Sequence, residues 1–544
     1  MDSTHKARTA LVFFLFCSLF CIGIINLYTL QIKQHTFFTD LGHQQYYVTQ
    51  TSYPPRASIL DRNKNPLALN KETLSAFMLP RMIKEKTGFK RFLKKNFPEA
   101  HERFIKKPNA QFAYIKRKIS HKEKKLIEQS GITDIHFLNE PSRFYPIEAA
   151  GLLTGMTNID NKGLFGIELI LNEQLTGKPT TTVLEKDARS GHFYFSKQKE
   201  TKGIDGAPVE LTIDGNLQFL VQEELTQAAQ KFGSTQGAAV VMDPETGDIL
   251  AMASYPSFDP NDPIITSQAA TKNTAVTESY EFGSVIKTFC ALAALEEGLV
   301  TADEEIDCLN TKTAFLDGRQ VNTVLSLGVA TFTDIIKKSN NIGIAKVAKR
   351  LDTKIYDHYR RLGFGTKTNI PFPGEQSGFV MPPERWSKQS IISLSYGYEI
   401  TNTLLQLARA FSVFANDGHL VTPRLLLSQE ITEPQKIYSS ESINTMRTIL
   451  EEATSKQGTG KYAAVHGYTT MGKTSTTNLL EDGQYNEHKN TYGFAGIVEK
   501  GGYKRIIACF LKESKRHNLY ASTVSAPLFE KIAERTLMHD KILT

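Results

Sequence analysis

The sequence predicts an α+β protein that begins with a membrane-spanning helix and continues into at least two folded regions. Three observations support this prediction. An apolar run lies near the N-terminus, helix-forming runs begin at Ser284 and Ile342, and β-rich segments flank a glycine turn at 500–504. With 544 residues, of which 40% are hydrophobic and 22% charged, the chain can bury at least two cores.

The predicted membrane helix is an uncharged run of 21 residues from Ala10 to Leu30. As a helix it would measure roughly 31 Å, enough to cross a bilayer core of about 30 Å. Lys6 and Arg8 precede it, which favours a cytoplasmic N-terminus. The alternative is a cleaved signal peptide, but the run is long and no small-x-small cleavage site follows. We therefore predict a cytoplasmic stub over 1–9 and a retained anchor over 10–32.

Beyond the anchor, composition and motifs divide the chain into two regions. Residues 33–205 are predicted to form an elongated mixed module, which ends in the polar stretch 196–206. Residues 206–544 are predicted to form the second domain, entered through a helix that begins near Leu217. No internal repeat or low-complexity tract interrupts this organisation.

The first chemical motif is Ser284-Val-Ile-Lys287 at the start of a helix-forming run that ends at Gly298. Residues three apart share a helix face, so the Lys287 amine is predicted to reach the Ser284 hydroxyl. An apolar helix behind Lys287 would lower its pKa, and the helix N-terminus would favour an oxyanion. The same spacing at Ser3 and Ser196 lies in polar stretches and is taken as a decoy. For an isolated match, an ordinary core helix with an N-cap serine is the alternative.

The second motif is Ser339-Asn340-Asn341, which precedes the amphipathic run Ile342–Leu351. Alone it predicts a helix N-cap, since serine and asparagine lead that position. In an acyl-transfer site, Ser339 would pass protons between Lys287 and a leaving group. Asn341 would donate to a substrate amide carbonyl. The two interpretations are compatible.

The third motif is Lys473-Thr474-Ser475, predicted to lie on a strand that pairs with a hairpin formed by 491–499 and 505–511. The Lys473 cation would meet a substrate carboxylate with the Thr474 hydroxyl beside it. The alternative is an exposed edge strand that uses lysine and threonine to discourage aggregation. Together, the three motifs match the S-x-x-K, S-x-N and K-T-G set of serine acyl-transfer enzymes, in that order.

The chain from Gly237 onward resembles the transpeptidase domain of the class B penicillin-binding proteins. The run 241–261 resembles the opening hairpin of that domain, and 273–284 resembles its approach to the nucleophile. Upstream, Arg56-Ala-Ser-Ile-Leu-Asp61-Arg62 resembles the R-G-x-I-x-D-R motif of class B N-terminal modules, and the block 163–168, which ends in Glu168, resembles a later part of the same module.

The resemblance implies a penicillin-binding or β-lactamase-like fold, with an antiparallel sheet flanked by helices, and an elongated N-terminal pedestal or dimerisation module. It implies that Ser284 attacks the penultimate D-alanine carbonyl of a stem pentapeptide and that an amine from a neighbouring stem resolves the acyl-enzyme. Thr474, Ser475 and Thr476 would bind substrate, with the N–H groups of Ser284 and Thr476 forming the oxyanion hole. Arg56, Asp61, Arg62 and Glu168 would be structural.

The blocks 157–160, 186–187, 384–386 and 524–529 resemble the septal, cell-division type of the class more than the elongation type. The implied partners are peptidoglycan stem peptides, β-lactam antibiotics, the inner membrane and divisome proteins that include a membrane glycosyltransferase, with no cofactor and no metal. The implied location is the inner membrane, with a single span and a periplasmic catalytic domain. The alternatives are a D,D-carboxypeptidase, a β-lactam-hydrolysing relative, or a non-catalytic division scaffold.

Three positions depart from the family pattern. Phe282 stands where proline is usual, Ala57 where glycine is usual, and Ser475 replaces the glycine of K-T-G. Ser475 is expected to share a strand face with Lys473 and either to crowd the cleft or to add a hydrogen bond there. We therefore predict slower β-lactam acylation than in a relative with glycine.

Charge and cysteine content add two further expectations. The net charge of +7 and pI of about 8.8 come without a long basic stripe carrying interleaved aromatic residues, so nucleic acid is not predicted as a partner. The five cysteines form neither a metal spacing nor a dense disulfide framework. For Cys290 and Cys308, free buried thiols are favoured over a disulfide bridge.

Overall fold

The computed structural model describes residues 3–185, 197–262, 271–481, 484–516 and 518–542. The decoy Ser196 and the block 186–187 lie outside these residues. The chain forms two compact units: the first contains Met1–Pro55 and Thr176–Gly206, and the second contains Arg56–Leu175 and Ala207–Thr544.

The α-helices of the described residues, in chain order, are α1 Ser3–Tyr28, α2 His35–Tyr46, α3 Lys86–Asn96, α4 Pro98–Lys106, α5 His121–Gln129, α6 Gly151–Thr154, α7 Gly166–Ile170, α8 Asn172–Thr176, α9 Gly215–Phe232, α10 Thr274–Thr277, α11 Lys287–Glu296, α12 Phe332–Lys337, α13 Asn341–Leu351, α14 Lys354–Arg361, α15 Ser390–Ser395, α16 Leu404–Ala415, α17 Ser440–Thr454 and α18 Ser525–His539.

The strands of the same residues are β1 Tyr47–Ser52, β2 Ile59–Leu60, β3 Pro66–Met78, β4 Ala113–Ile119, β5 Ile135–Phe144, β6 Thr180–Glu185, β7 Lys197–Thr201, β8 Val209–Glu210, β9 Gln236–Met242, β10 Ile249–Tyr255, β11 Glu305–Asp307, β12 Thr313–Leu316, β13 Arg319–Asn322, β14 Val329–Thr331, β15 Phe379–Val380, β16 Ile400–Thr401, β17 His419–Leu420, β18 Gln435–Lys436, β19 Thr469–Glu481, β20 Gln484–Lys500 and β21 Tyr503–Lys512.

The first unit combines the N-terminal helix with a small sheet. The helix α1 continues into a π-helical turn at Thr29–Lys33. Within His5–Lys33, an 18-residue stretch has a mean hydropathy of 2.6, and its apolar side chains are exposed. Among the described residues, this is the one helix long and apolar enough to cross a membrane. The strands β1, β6 and β7 form a three-stranded antiparallel sheet.

The second unit is built on a five-stranded antiparallel sheet in the order β10-β9-β21-β20-β19. The strands β20 and β21 form the predicted hairpin and turn at Gly501 and Gly502, both of which adopt a positive φ. Strand β19 lies at the edge of this sheet and carries Lys473, as the sequence predicted. An edge strand leaves one row of its backbone groups without a partner strand, so it can pair with an extended peptide.

Both faces of this sheet are buried. One face, which includes Val240 and Phe510, belongs to the same apolar core as α11, α13 and α16, whereas the opposite face packs with α9 and α18. Burial on both faces explains why residues 237–242 of β9 and 506–511 of β21 are continuously apolar instead of alternating. The predicted antiparallel sheet flanked by helices is confirmed.

The N-terminal part of the second unit contains the sheet β4-β3-β2-β8, with β5 also paired to β3. Beside it, the buried Glu168 carboxylate accepts from Arg56 Nε and Arg143 Nε, each at 2.6 Å. Two guanidinium groups around one carboxylate satisfy charges that would otherwise be costly to bury. Asp61 accepts from the Gly215 N–H at 3.1 Å, and Arg62 Nη2 lies 3.8 Å from an Asp248 oxygen. The four residues of the proposed structural motif therefore all make internal contacts.

Candidate active site

Ser284 lies on a short 3₁₀ turn, Gly283–Val285, directly before α11. The sequence predicted an α-helix from Ser284, but 3₁₀ turns are frequent at helix N-termini. Gly283 adopts φ +44° between two close neighbours: a Cβ there would lie 2.2 Å from Thr477 Oγ1 and 2.9 Å from Ser475 Oγ. Only glycine fits both this backbone conformation and this space, so the packing of Gly283 fixes the position of the Ser284 turn.

Lys287 is the first residue of α11 and is completely buried. Its Nζ donates to the Ser339 carbonyl oxygen at 2.7 Å and to Ser339 Oγ at 3.0 Å. Burial, and secondly the nearby charge of Lys473, hold the pKa of Lys287 well below its ordinary value. The amine is therefore suited to accept a proton, and within the described residues its hydrogen bonds go to Ser339.

The Ser339-Asn340-Asn341 motif forms the turn between α12 and α13. Asn340 is the N-cap of α13, and its side-chain oxygen accepts from the Gly343 N–H at 2.8 Å, which confirms the N-cap interpretation. Ser339 adopts φ +58°, an unusual conformation for a residue with a Cβ. Asn341 Nδ2 donates to the Asn322 carbonyl at 2.6 Å. The cap and the turn thus bring Ser339 to Lys287.

Side chains on β19 alternate between the cavity and the protein interior. Thr474 and Thr476 line the cavity, whereas Lys473 and Ser475 are buried on the other face. The prediction that Lys473 and Ser475 share one face of the strand is confirmed. The prediction that this face borders the substrate is wrong, because Thr474 and Thr476 line the cavity instead. Ser475 Oγ instead lies 3.1 Å from Thr477 Oγ1, beside Gly283. Ser475 therefore contacts the turn that carries Ser284.

Lys473 lies beneath the cavity with Thr459 as its neighbour. Its Nζ is 3.4 Å from Thr459 Oγ1, which also accepts from Thr474 Oγ1 at 3.1 Å. Burial lowers the pKa of Lys473 to about 7. Thr459 is not among the site residues predicted from the sequence. Its only local signal is a polar residue between Gly458 and Gly460, and the contact with Lys473 depends on tertiary folding.

A cavity of about 680 Å³ connects these groups. Its walls include Ser284, Ser339, Asn341, Thr474 and Thr476. The cavity is also lined by three cationic side chains, those of Lys338, Lys461 and Arg516. The described residues that line it include no Asp or Glu. The cavity therefore suits an anionic ligand that places an electrophilic carbon at Ser284.

Serine and threonine hydroxyls and the two buried amines of Lys287 and Lys473 thus lie near one end of α11 and one edge of the sheet. The predicted hydrogen bond between Lys287 and the Ser284 hydroxyl is not among those of the described residues, where the Lys287 amine contacts Ser339. A serine hydroxyl with a neutral amine nearby can act as a nucleophile, and a helix N-terminus beside an edge strand can stabilise an oxyanion. Among the described residues, no group of three or more His, Cys, Asp or Glu side chains could hold a metal ion. All five cysteines are free, Cys290 and Cys308 included.

Comparison with known families identifies the class of protein. Residues 237–534 match the penicillin binding protein transpeptidase domain, and residues 51–211 match the penicillin-binding protein dimerisation domain. The chain belongs to the class B penicillin-binding proteins, which combine these two domains.

Individual relatives align along nearly the whole chain. The probable peptidoglycan D,D-transpeptidase PbpC of Pseudomonas aeruginosa is 31% identical over 514 residues, which cover 93% of this chain and 91% of the relative. The peptidoglycan D,D-transpeptidase FtsI of Escherichia coli is 28% identical over 516 residues, covering 92% and 87%. The crystal structure of penicillin-binding protein 3 from Mycobacterium tuberculosis, complexed with aztreonam, has a TM-score of 0.70 and 26% identity, covering 91% of this chain and 98% of that one.

Proposed function

We propose that this protein is a membrane-anchored peptidoglycan D,D-transpeptidase that cross-links stem peptides through an ester on Ser284. Membership in a family whose relatives carry that name supports the activity. One observation carries the assignment of the residues: Lys287, fully buried and hydrogen-bonded to Ser339, lies beneath a cavity that Ser284 and Ser339 both line.

In the acylation step, Ser284 Oγ attacks the penultimate D-alanine carbonyl, and its proton passes to the neutral Lys287 amine. The N–H groups of Ser284 and Thr476 stabilise the oxyanion. The bond to the terminal D-alanine nitrogen then breaks, and Ser339 passes a proton from Lys287 to that nitrogen. Asn341 orients the donor peptide through an amide carbonyl.

Other residues of the cavity bind the donor. The Thr474 hydroxyl meets the terminal carboxylate, and buried Lys473 supplies positive charge beneath it. In the second step, an amine of a neighbouring stem attacks the Ser284 ester, the ester C–O bond breaks, and the hydroxyl is restored. β-Lactams acylate the same serine. Attack by water instead of an amine would make the enzyme a carboxypeptidase.

The N-terminal helix would anchor the enzyme in the inner membrane, with its N-terminus in the cytoplasm and its catalytic domain in the periplasm. Basic residues before the span support this orientation. A role in septal wall synthesis is supported by the similarity to FtsI and to the stage V sporulation protein D of Bacillus subtilis. The expected partners are divisome proteins, including a membrane glycosyltransferase.

The test is donor turnover by the full-length protein in detergent. We would supply a stem pentapeptide and an amine acceptor, and measure both D-alanine release and the cross-linked product. Wild-type protein should form both products, and Ser284→Ala neither. D-Alanine release without cross-linking at any acceptor concentration would establish the carboxypeptidase alternative. No turnover by folded wild-type protein would favour the scaffold alternative.

A further inference from the structure

One wall of the active-site cavity is the outer part of the β19–β20 hairpin. The strand pairing is regular up to Asn478, opposite Asn490, and then shifts so that Leu479 pairs with Asn486. The extra residues form a bulge on β20 that includes His488. Asn478, His488 and Asn490 all line the cavity. The shape of the cavity therefore depends on where this part of the hairpin is held.

Tyr485 connects the outer part of the hairpin to the body of the domain. Its hydroxyl donates to Glu281 Oε1 at 3.2 Å, and its ring packs edge-on against Tyr398 at 4.8 Å between centroids. Tyr485 is 40% exposed, so these contacts are not explained by burial in the core.

Glu281 also contacts the loop that supports the nucleophile. The same oxygen, Oε1, accepts from the Glu399 N–H at 3.0 Å. That loop packs closely on the Ser284 turn, since a Cβ on Gly397 would lie 2.2 Å from the Gly283 carbonyl oxygen. Glu281 itself precedes Ser284 by three residues. One carboxylate oxygen thus joins the hairpin wall, the supporting loop and the segment that carries Ser284.

We propose that Glu281 is a positioning residue that latches the hairpin wall of the cavity to the Ser284 turn through Tyr485. This proposal rests on the proposed function, because it concerns how the same cavity holds its substrate. An ionised carboxylate accepts these two hydrogen bonds more strongly than a neutral carboxyl does. The latch is therefore closed when Glu281 is ionised and loosened when it is protonated.

The environment of the Glu281 side chain should make its carboxyl group ionise near neutral pH. Partial burial raises its pKa to about 7, the two hydrogen bonds oppose this shift, and the charge of Glu399 reinforces it. The charged and titratable groups around it are Glu399, Arg319, Tyr398 and Tyr485. Arg319 Nη1 lies 4.0 Å from a Glu399 oxygen, so its charge is shared with Glu399. As pH rises through about 7, the latch should close.

The test compares E281Q, Y485F and the control Y503F, which removes a tyrosine–carboxylate hydrogen bond to Asp540 far from the cavity. We would measure the acylation rate constant for a penicillin from pH 6 to 8, with thermal melting as a check of folding. The ratio of wild type to E281Q should be near one at pH 6 and rise to about tenfold at pH 8. Y485F should lose a similar factor at pH 8, and Y503F should match wild type.

Two results would contradict the proposed role of Glu281. A loss in E281Q that is constant with pH would show a merely structural role, and Y485F profiles equal to wild type would exclude the latch. For the stem pentapeptide, the latch predicts a rise in KM larger than the fall in kcat. Failure of the proposed function would look different, because wild-type protein itself would then either not be acylated at Ser284 or release D-alanine without forming the cross-linked product.

Discussion

At the scale of single residues, the proposed acylation depends on a neutral Lys287. Burial lowers the pKa of Lys287 first, and the charge of Lys473 lowers it further. The neutral fraction of Lys287 grows as pH rises through its lowered pKa, so acylation should accelerate in that direction. The pKa of Lys473 is lowered to about 7 by burial, so this lysine also titrates in the neutral range.

Lys287→Arg tests the need for a neutral base. Arginine keeps a positive charge but cannot lose its proton at working pH, so acylation by a penicillin should fall by at least ~10²-fold. Lys461→Arg, at a cavity lysine without a proposed proton-transfer role, is the control and should stay close to wild type. The measurement is the second-order acylation rate constant. Near wild-type acylation by folded Lys287→Arg would remove Lys287 from the mechanism.

Ser475→Gly tests the departure from the family pattern. The Ser475 hydroxyl lies between β19 and the Gly283 turn, so glycine would let the strand approach this turn and bring the Thr476 N–H nearer the oxyanion. A complete oxyanion donor is worth roughly 3–4 kcal/mol, and a small movement should give less, an acceleration of up to about tenfold. Thr477→Val, which removes the same hydrogen bond without opening the backbone, is the control. An unchanged or lower acylation rate, with the fold intact by thermal melt, would refute the crowding argument.

Several of the predicted site residues, including Ser284, Ser339 and Thr474, line one cavity, and each was found in the sequence through a motif of fixed spacing. Ser284 and Lys287, and Ser339 and Asn341, are each close in the chain, so a local pattern predicts that they share one region, whereas the contact of Lys287 with Ser339 joins residues 52 apart. The contact between Glu281 and Tyr485 joins residues far apart in the sequence, so no local sequence pattern could predict it. Strand alternation predicted that Lys473 and Ser475 share a face, but only the packed sheet shows which face is the cavity.

At the scale of elements, the turn between α12 and α13 holds Ser339, the proposed proton relay, in a strained backbone conformation. Ser339 has φ +58°, which costs an ordinary residue about 1–2 kcal/mol. Asn340, as the N-cap of α13, holds this turn in place. Such strain persists at functional sites when the surrounding structure fixes it.

Comparing Ser339→Gly with Ser339→Ala separates this strain from the chemistry. Both variants lack the hydroxyl, so both should lose turnover of the stem pentapeptide by about 10²-fold. Glycine tolerates the positive φ and alanine does not, so the glycine variant should be more stable by about 1 kcal/mol. Urea unfolding measures this difference. Equal stability of the two variants would show that the turn relaxes instead of storing strain.

At the scale of the whole molecule, the elements were predicted more reliably than their limits. The long apolar helix at the N-terminus, the hairpin β20–β21 and the strand with Lys473 follow from strong local patterns. The helix predicted to begin at Ser284 begins instead at Lys287, because the close packing around Gly283 produces a 3₁₀ turn before it. The boundary near residue 205 remains a prediction, and the compact units bring Thr176–Gly206 together with the N-terminal segment.

Topology is the prediction that belongs to the complete chain. With basic residues before one long apolar helix, we expect a single uncleaved span and export of everything after about residue 33. Protease added to spheroplasts should therefore degrade nearly the whole protein. N-terminal sequencing of the purified protein checks the anchor. Full protection from protease, or a mature N-terminus beyond residue 25, would contradict the proposed topology.

The central claim is that Ser284 forms the covalent intermediate. The most direct measurement is mass spectrometry of the full-length protein after reaction with a penicillin, followed by digestion and mapping of the modified peptide. We predict one adduct per chain, located on Ser284, and no adduct in Ser284→Ala. An adduct on any other residue, or an adduct of normal yield in folded Ser284→Ala, would contradict the account.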